Sequence, residues 1–195
     1  MQLSEEVIFS LRILYISQLA MGFAVGFIIP IIVLYFGDIF NATSLQIGTI
    51  LSISGFVGLT CNLYAGKISD RIGRKPIITL GNLPARLATI FIPFAPDFLS
   101  ASVITVFRSF GHNIAMPASR ALNADLIPEK VRGKLFGRMA AFFSIGAILG
   151  PVLSTLIYDA LRFQTFQIPW LGNLSIRGAG IPFFVSSAIG LFSLF

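Results

Sequence analysis

The chain has 195 residues, of which 55% are hydrophobic and 11% are charged, and its mean hydropathy is +0.87. A soluble domain carries about a quarter charged residues, so this composition excludes a soluble globular protein and indicates one embedded in lipid. The formal net charge is +6, but the basic residues stand in short stretches beside long apolar segments, which is a membrane-topology pattern and not a nucleic-acid-binding surface.

Six apolar segments are long enough for membrane-spanning helices, since a hydrocarbon core of about 30 Å needs roughly 20 residues at 1.5 Å each. They cover residues 13–36, 44–65, 76–94, 98–118, 136–158 and 180–195. The first segment follows the acidic pair Glu5 and Glu6 and is too long for the core of a signal peptide, so we expect it to be retained. The sequence therefore predicts an all-α, polytopic membrane protein.

Positive charges are distributed unequally between the two ends of these segments. Only Arg162 and Arg177 fall at one end. The basic residues at the other end are Arg12, Lys67, Arg71, Arg74, Lys75, Arg120, Lys130, Arg132, Lys134 and Arg138. Because positive residues concentrate in cytoplasmic loops, we expect a multi-pass protein of the cell membrane with its amino terminus in the cytoplasm.

A short charged stretch, GKISDRIGRK at residues 66–75, separates the second and third segments. We expect Gly66 to let a helix end approach a neighbour closely, and Gly73 to supply a backbone shape that other residues resist. Asp70 would be stabilised at a membrane boundary by a helix amino terminus or by arginines, which favours a latch between moving parts. A generic basic loop is the alternative interpretation.

This stretch resembles the signature of the major facilitator superfamily, which has a glycine, a small residue and Asp-Arg, and then Gly-Arg and a further base. The residues that carry the resemblance are Gly66, Ser69, Asp70, Arg71, Gly73, Arg74 and Lys75. It implies an alternating-access transporter built from two six-helix halves, each made of two inverted three-helix repeats. It also implies that Asp70 steadies the outward-facing state and that Arg71 pairs with a carboxylate after the fourth helix, a position that Asp125 matches.

A second resemblance lies in the fifth segment. Gly137, Gly146, Gly150 and Pro151 follow the spacing of the antiporter signature of the same family. Small residues let helices cross closely, and proline bends a span. The resemblance implies antiport, whereas a generic helix-packing face is the alternative.

Two arginines, Arg86 and Arg108, stand near the middle of the third and fourth segments. A cation exposed to lipid there costs a few kcal/mol or more, so each should face a water-filled cavity or a partner, and both are candidates for the substrate path. Asn82 lies one helical turn before Arg86, and His112 lies one turn after Arg108. A guanidinium bonded to helix carbonyls, and a histidine that only packs, are the alternatives.

No Asp or Glu lies within a segment. His112 could therefore carry a coupling proton, or the protein could be a facilitator, or coupling could depend on residues outside this chain. The two arginines make an anionic small-molecule solute the expected substrate by charge complementarity. Gln18, Asn62 and Tyr64 are weaker polar candidates that could instead bond between helices.

Other classes of function are disfavoured by what the segments carry. An enzyme needs a convergent set of acid, base or metal ligands, and Cys61 is the only cysteine, so we expect no metal site, no cofactor and no enzymatic activity. The sixth segment stops at Phe195, and we expect it to be truncated and a carboxy-terminal half to be absent. The alternative to a transporter is a non-transporting fragment, or a subunit that pairs in lipid with a second six-helix half or with its own copy.

Overall fold

The structure of the chain is a computed structural model that describes residues 5–127, 129–168 and 174–192. Its helices are α1 (Glu5–Phe40), α2 (Ser44–Ile72), α3 (Arg74–Phe91), α4 (Phe98–Leu126), α5 (Glu129–Leu161) and α6 (Ile181–Phe192). The predicted helical, polytopic fold is confirmed. The last three residues of the expected sixth segment, 193–195, lie outside the described residues.

Four described helical stretches are long and apolar enough to cross a membrane. They are Arg12–Phe40, Ser44–Ile72, Arg74–Phe94 and Val131–Leu161, and a shorter apolar helix covers Gly178–Phe192. Helix α4 is not among the four because polar residues such as Arg108 and His112 lower its hydropathy. It is as long as α2, and its polar residues are accommodated because it packs among other helices.

The six helices form two related groups of three. Helix α1 packs on α5 and α6, whereas α4 packs on α2 and α3, and α3 also meets α6. Exchanging α1 with α4, α2 with α5 and α3 with α6 leaves this contact pattern unchanged. Because α1 and α4 begin at opposite ends of the bundle, the exchange corresponds to two inverted three-helix repeats, as the resemblance implied.

Glycines allow the closest of these helix crossings. A Cβ atom added at Gly81 of α3 would lie 2.6 Å from the carbonyl oxygen of Gly111 in α4. Cβ atoms added at Gly22 and Gly26 of α1 would overlap the backbone of α5 at Phe143 and Ala147. Small residues thus let helix backbones touch, which is how helices associate in lipid, where hydrophobic burial gives no driving force.

Residues 66–75 and the α4–α5 connection lie at one end of the bundle, called here the basic end, and the other connections lie at the opposite end. There, an antiparallel hairpin of β1 (Thr165–Ile168) and β2 (Leu174–Arg177) joins α5 to α6, with Thr165 paired to Arg177. The hairpin is the one β-sheet among the described residues. Its alternating apolar and polar residues suit a strand with one covered face.

A polar network fixes the ends of α1 and α5 beside this hairpin. The Tyr158 hydroxyl, which is fully buried, donates a hydrogen bond of 3.0 Å to Asp38 Oδ2. Nη1 of Arg162 lies 3.6 Å from the same Asp38 oxygen and 3.7 Å from Asp159 Oδ1. The carboxylate that ends α1 is therefore held by two groups from the end of α5.

Candidate functional site

Gly73 forms the whole connection between α2 and α3. It has a φ of 103° and a ψ of 148°, and its N–H donates to Ser69 O at 3.0 Å. A side chain resists this positive φ, so glycine is required for the sharp reversal. The close approach expected at Gly66 is not seen, because a Cβ atom added there would meet no described atom within 4 Å.

Arg74 connects the charged groups of the two turns at the basic end. Its guanidinium forms an ion pair with Asp125 near the end of α4, and it lies 3.9 Å from Asp70 Oδ1. The expectation that Arg71 pairs with Asp125 is therefore not met in this structure. The reason is geometric, since Gly73 places Arg74 at the start of α3 beside α4, whereas Arg71 and Lys75 are exposed.

Arg86 is buried where α3 meets α6. Its side chain is 7% exposed, and Asn82, one turn earlier, is 5% exposed. The guanidinium lies directly against Gly190 of α6, where an added Cβ atom would overlap Cζ and Nε. The Ser187 hydroxyl donates a hydrogen bond of 2.8 Å to the backbone oxygen of Arg86. The missing side chain of Gly190 thus provides the space that the guanidinium occupies.

Arg108 extends this positive region onto α4, and His112 lies one turn after it. Both are half-buried, and Arg86 is close enough for its charge to act on each of them. Nε of Arg108 is buried with no hydrogen-bond partner in the part of the chain that the structure describes. The three residues Arg86, Arg108 and His112 are called the basic cluster below.

No carboxylate neutralises the basic cluster among the described residues. The ion pairs among the described residues all involve Arg74 or Arg162, which lie at opposite ends of the bundle and outside the basic cluster. Buried cations in a membrane protein are normally paired or placed beside water. The basic cluster is therefore a region of uncompensated positive charge that can receive an anion.

The weaker polar candidates have different surroundings. Nδ2 of Asn62 in α2 donates a hydrogen bond of 3.5 Å to Oδ1 of Asn113 in α4, so Asn62 connects two helices. Tyr64, in contrast, is exposed. Asn113 also donates a hydrogen bond of 2.8 Å to the backbone oxygen of Ser109, and its side chain packs over Gly58. Asn113 was not a candidate from the sequence, although its place one residue after His112 could have indicated it.

The glycines of α5 separate into two kinds. Cβ atoms added at Gly146 and Gly150 would overlap or crowd the α1 backbone, at Leu19 and Phe23. One added at Gly137 would meet no described atom within 4 Å. Gly146 and Gly150 therefore pack α5 on α1.

Pro151 follows these glycines, and its carbonyl oxygen also accepts hydrogen bonds from side chains about one turn later. Its oxygen accepts hydrogen bonds of 2.9 Å from the hydroxyls of Ser154 and Thr155. Such bonds satisfy and bend the backbone of a helix in lipid. The end of α5 is consequently shaped by these three neighbouring residues.

Comparison with known proteins gives a consistent result. The family model described as Major Facilitator Superfamily matches residues 14–195. The chain is 28% identical over 148 residues to the "Uncharacterized MFS-type transporter YhjO" of Bacillus subtilis (strain 168), covering 76% of this chain and 37% of that protein. It is 26% identical over 162 residues to a "Na(+), Li(+), K(+)/H(+) antiporter" of Planococcus maritimus, covering 80% and 37%.

A solved structure shows the same fold. The crystal structure of a D-xylose-proton symporter superposes with a TM-score of 0.71 at 15% identity, covering 96% of this chain and 47% of that one. The chain thus spans less than half the length of the proteins that it matches.

Proposed function

Because the chain belongs to the Major Facilitator Superfamily, we propose that it is the six-helix half of a secondary transporter that moves a small solute by alternating access. The inverted three-helix repeats support this proposal, because such repeats generate the two alternate states of these transporters. The basic end faces the cytoplasm of the cell, with the amino terminus on that side, since it holds most of the basic residues.

The solute path includes Asn82 and the basic cluster, and the solute is an anion. The observation that carries this assignment is the buried, unpaired Nε atom of the half-buried Arg108, near the buried Arg86. Placing two cations inside a membrane protein without a carboxylate is unfavourable. A transported anion reduces that penalty and enters a site already organised to receive it.

Transport is coupled to protons, and His112 carries the proton. It is the only histidine of the chain, and it lies beside both arginines of the basic cluster. Protonation adds a third positive charge there, so proton and anion affinities are linked. Antiport is the direction that Gly137, Gly146, Gly150 and Pro151 favour, and one of the relatives is named as a proton antiporter.

The charged turn at residues 66–75 is a conformational latch. Asp70 and Asp125 lie on either side of Arg74, while Arg71 and Lys75 remain exposed and available for a second half. Exposed ion pairs of this kind are individually weak, at about 0–1 kcal/mol. Weak contacts suit a latch that must release once in every transport cycle.

A second candidate function is a subunit that does not transport alone and pairs with a second six-helix half or with its own copy. The exposed apolar face of α2 favours it, because Phe56 is 71% exposed. Leu59 and Leu63 extend the same face. A partner helix or lipid must cover this surface.

Uptake into sealed proteoliposomes tests the proposal. The chain is reconstituted with a screen of labelled small anions and cations, with and without a pH gradient. We expect anion uptake that falls at least tenfold in Arg108→Gln and is unchanged in Arg138→Gln, which removes an exposed charge. Equal uptake by Arg108→Gln and the wild type contradicts the solute path. No flux across the screen, together with a stable complex by light scattering, favours the subunit that only pairs.

A further inference from the structure

A cavity of about 190 Å³ lies between α1, α4 and α5, toward the basic end. None of the basic cluster lines it. On α4, its wall begins at Met116, about one helical turn beyond His112, and extends to Arg120, which follows Arg108 by twelve residues or about 18 Å along a helix. The cavity is smaller than the roughly 300–1,000 Å³ typical of sites for drug-sized ligands. It therefore suits a small ligand with one or two rings.

Most of the cavity wall is apolar and adaptable. Met116, Met139 and Phe143 contribute to it from α4 and α5. Methionine is flexible and polarisable, and its sulfur makes favourable contacts with aromatic rings. This part of the wall can accept a flat apolar body without a demanding fit.

The polar part of the wall has unused hydrogen-bonding capacity. Gln18 of α1, together with Arg120 and Asn123 of α4, lines the cavity. Asn123 is only 9% exposed, Gln18 is half-buried and Arg120 is exposed, and none of these three side chains has a hydrogen bond or an ion pair with another described residue. A sheltered polar group without a partner is unfavourable, so water or a ligand must satisfy the Asn123 amide.

The charge of the cavity wall favours a ligand of negative charge. Arg120 is the charged residue among the lining side chains, and no carboxylate is among them. A guanidinium binds carboxylate, sulfonate or phosphate oxygens through two parallel hydrogen bonds. We infer that this cavity binds an amphipathic organic anion, whose acidic group meets Arg120 and Asn123 and whose apolar body lies on Met116, Met139 and Phe143.

Equilibrium binding to the chain in phosphatidylcholine nanodiscs tests this inference without reference to transport. The probes are naphthalene-2-sulfonate and the cation 1-naphthylmethylammonium, and empty nanodiscs correct for partition into lipid. We expect the sulfonate to bind at least tenfold more tightly than the cation. Arg120→Gln should weaken the sulfonate at least tenfold, Arg120→Lys should restore part of the affinity, and Asn123→Leu should weaken it severalfold without changing the charge.

Arg138→Gln is the matched control, because it removes an exposed arginine one residue before Met139 that does not line the cavity. Its affinity should equal that of the wild type, and thermal unfolding verifies that each variant is folded. Equal affinities for the two probes, or full affinity in both Arg120→Gln and Asn123→Leu, would overturn the inference.

The same amphipathic anion could come from the membrane or from solution. Nanodiscs that contain phosphatidylglycerol distinguish these sources. Loss of sulfonate binding in them indicates an anionic lipid as the natural ligand, whereas unchanged binding indicates a soluble anion. Because the readout is binding, Arg120→Gln can lose the probe while flux through the basic cluster persists, so this inference and the proposed transport can fail independently.

Discussion

The guanidinium of Arg74 forms an ion pair with the carboxylate of Asp125, which joins the reversal between α2 and α3 to the end of α4. Arg71, three residues earlier, is exposed instead. The two turns at the basic end are therefore connected through the first residue of α3.

A double-mutant cycle measures this connection. Arg74→Gln and Asp125→Asn should couple by about 0.5 kcal/mol in thermal or denaturant unfolding, because both side chains are partly exposed. Arg71→Gln is the matched control, and its coupling to Asp125→Asn should be near zero. A larger coupling for Arg71 than for Arg74 would show that the pairing in the structure is wrong.

The helix-five glycines should differ sharply in their tolerance of a methyl group. Gly146→Ala forces a Cβ atom into the α1 backbone, so we expect a loss of about 1–3 kcal/mol in the free energy of unfolding. Gly137→Ala has open space and should stabilise α5 by up to about 1 kcal/mol through helix propensity. Thermal unfolding in detergent compares them, and equal stability of the two variants would contradict the α1–α5 crossing.

Tyr158→Phe should loosen the attachment of α1 to α5. It removes the hydrogen bond to Asp38 Oδ2 while keeping the buried ring, at a cost of about 1.5–3 kcal/mol in the free energy of unfolding. Tyr64→Phe is the control, because its ring is exposed, and should change stability by under about 0.5 kcal/mol. If both variants unfold at the wild-type temperature, the buried hydrogen bond does not form.

The amino terminus of α4 should respond to acid. Asp97 accepts hydrogen bonds from the Ser100 hydroxyl and backbone N–H, and these bonds lower the pKa of the Asp97 carboxyl. Because the pKa is lower in the folded state, ionised Asp97 stabilises the fold at pH values above its pKa in the unfolded chain, about 3.9. This contribution is lost as the pH falls through the pKa of the folded state.

The melting temperature from pH 7 to pH 3 checks this effect. Asp97→Asn keeps a capping side chain but removes the titrating group. The melting temperature of the wild type should therefore exceed that of Asp97→Asn near neutral pH, and this difference should shrink below about pH 4. A difference that stays constant down to pH 3 is the contrary result.

The sequence alone indicated the helical fold because membrane-spanning segments are long and uniformly apolar. It also indicated Gly73, since a reversal within one residue needs a positive φ. The hairpin from Thr165 to Arg177 was not predicted, because its four-residue strands give too short a periodic signal. Local pattern identifies elements of sufficient length and misses shorter ones.

Tertiary relationships were harder to predict. The choice of Arg74 over Arg71 as the partner of Asp125 depends on how α3 lies along α4, which sequence spacing does not encode. Likewise, the sequence indicated Arg120 only as a loop-side charge, whereas the packing of α1, α4 and α5 makes it line the same cavity as Gln18. Residues from separate helices meet through packing, so their shared sites emerge from the structure.

Alternating access through the basic cluster is most directly tested by counterflow. Proteoliposomes containing the chain are loaded with an unlabelled anion identified in the uptake screen, and entry of the labelled anion is followed. We expect a transient accumulation of label that is absent from unloaded vesicles and from Arg108→Gln, because a carrier returns faster with solute bound. Label entry that is unaffected by internal solute, and equal in Arg108→Gln, would contradict a carrier built around this cluster.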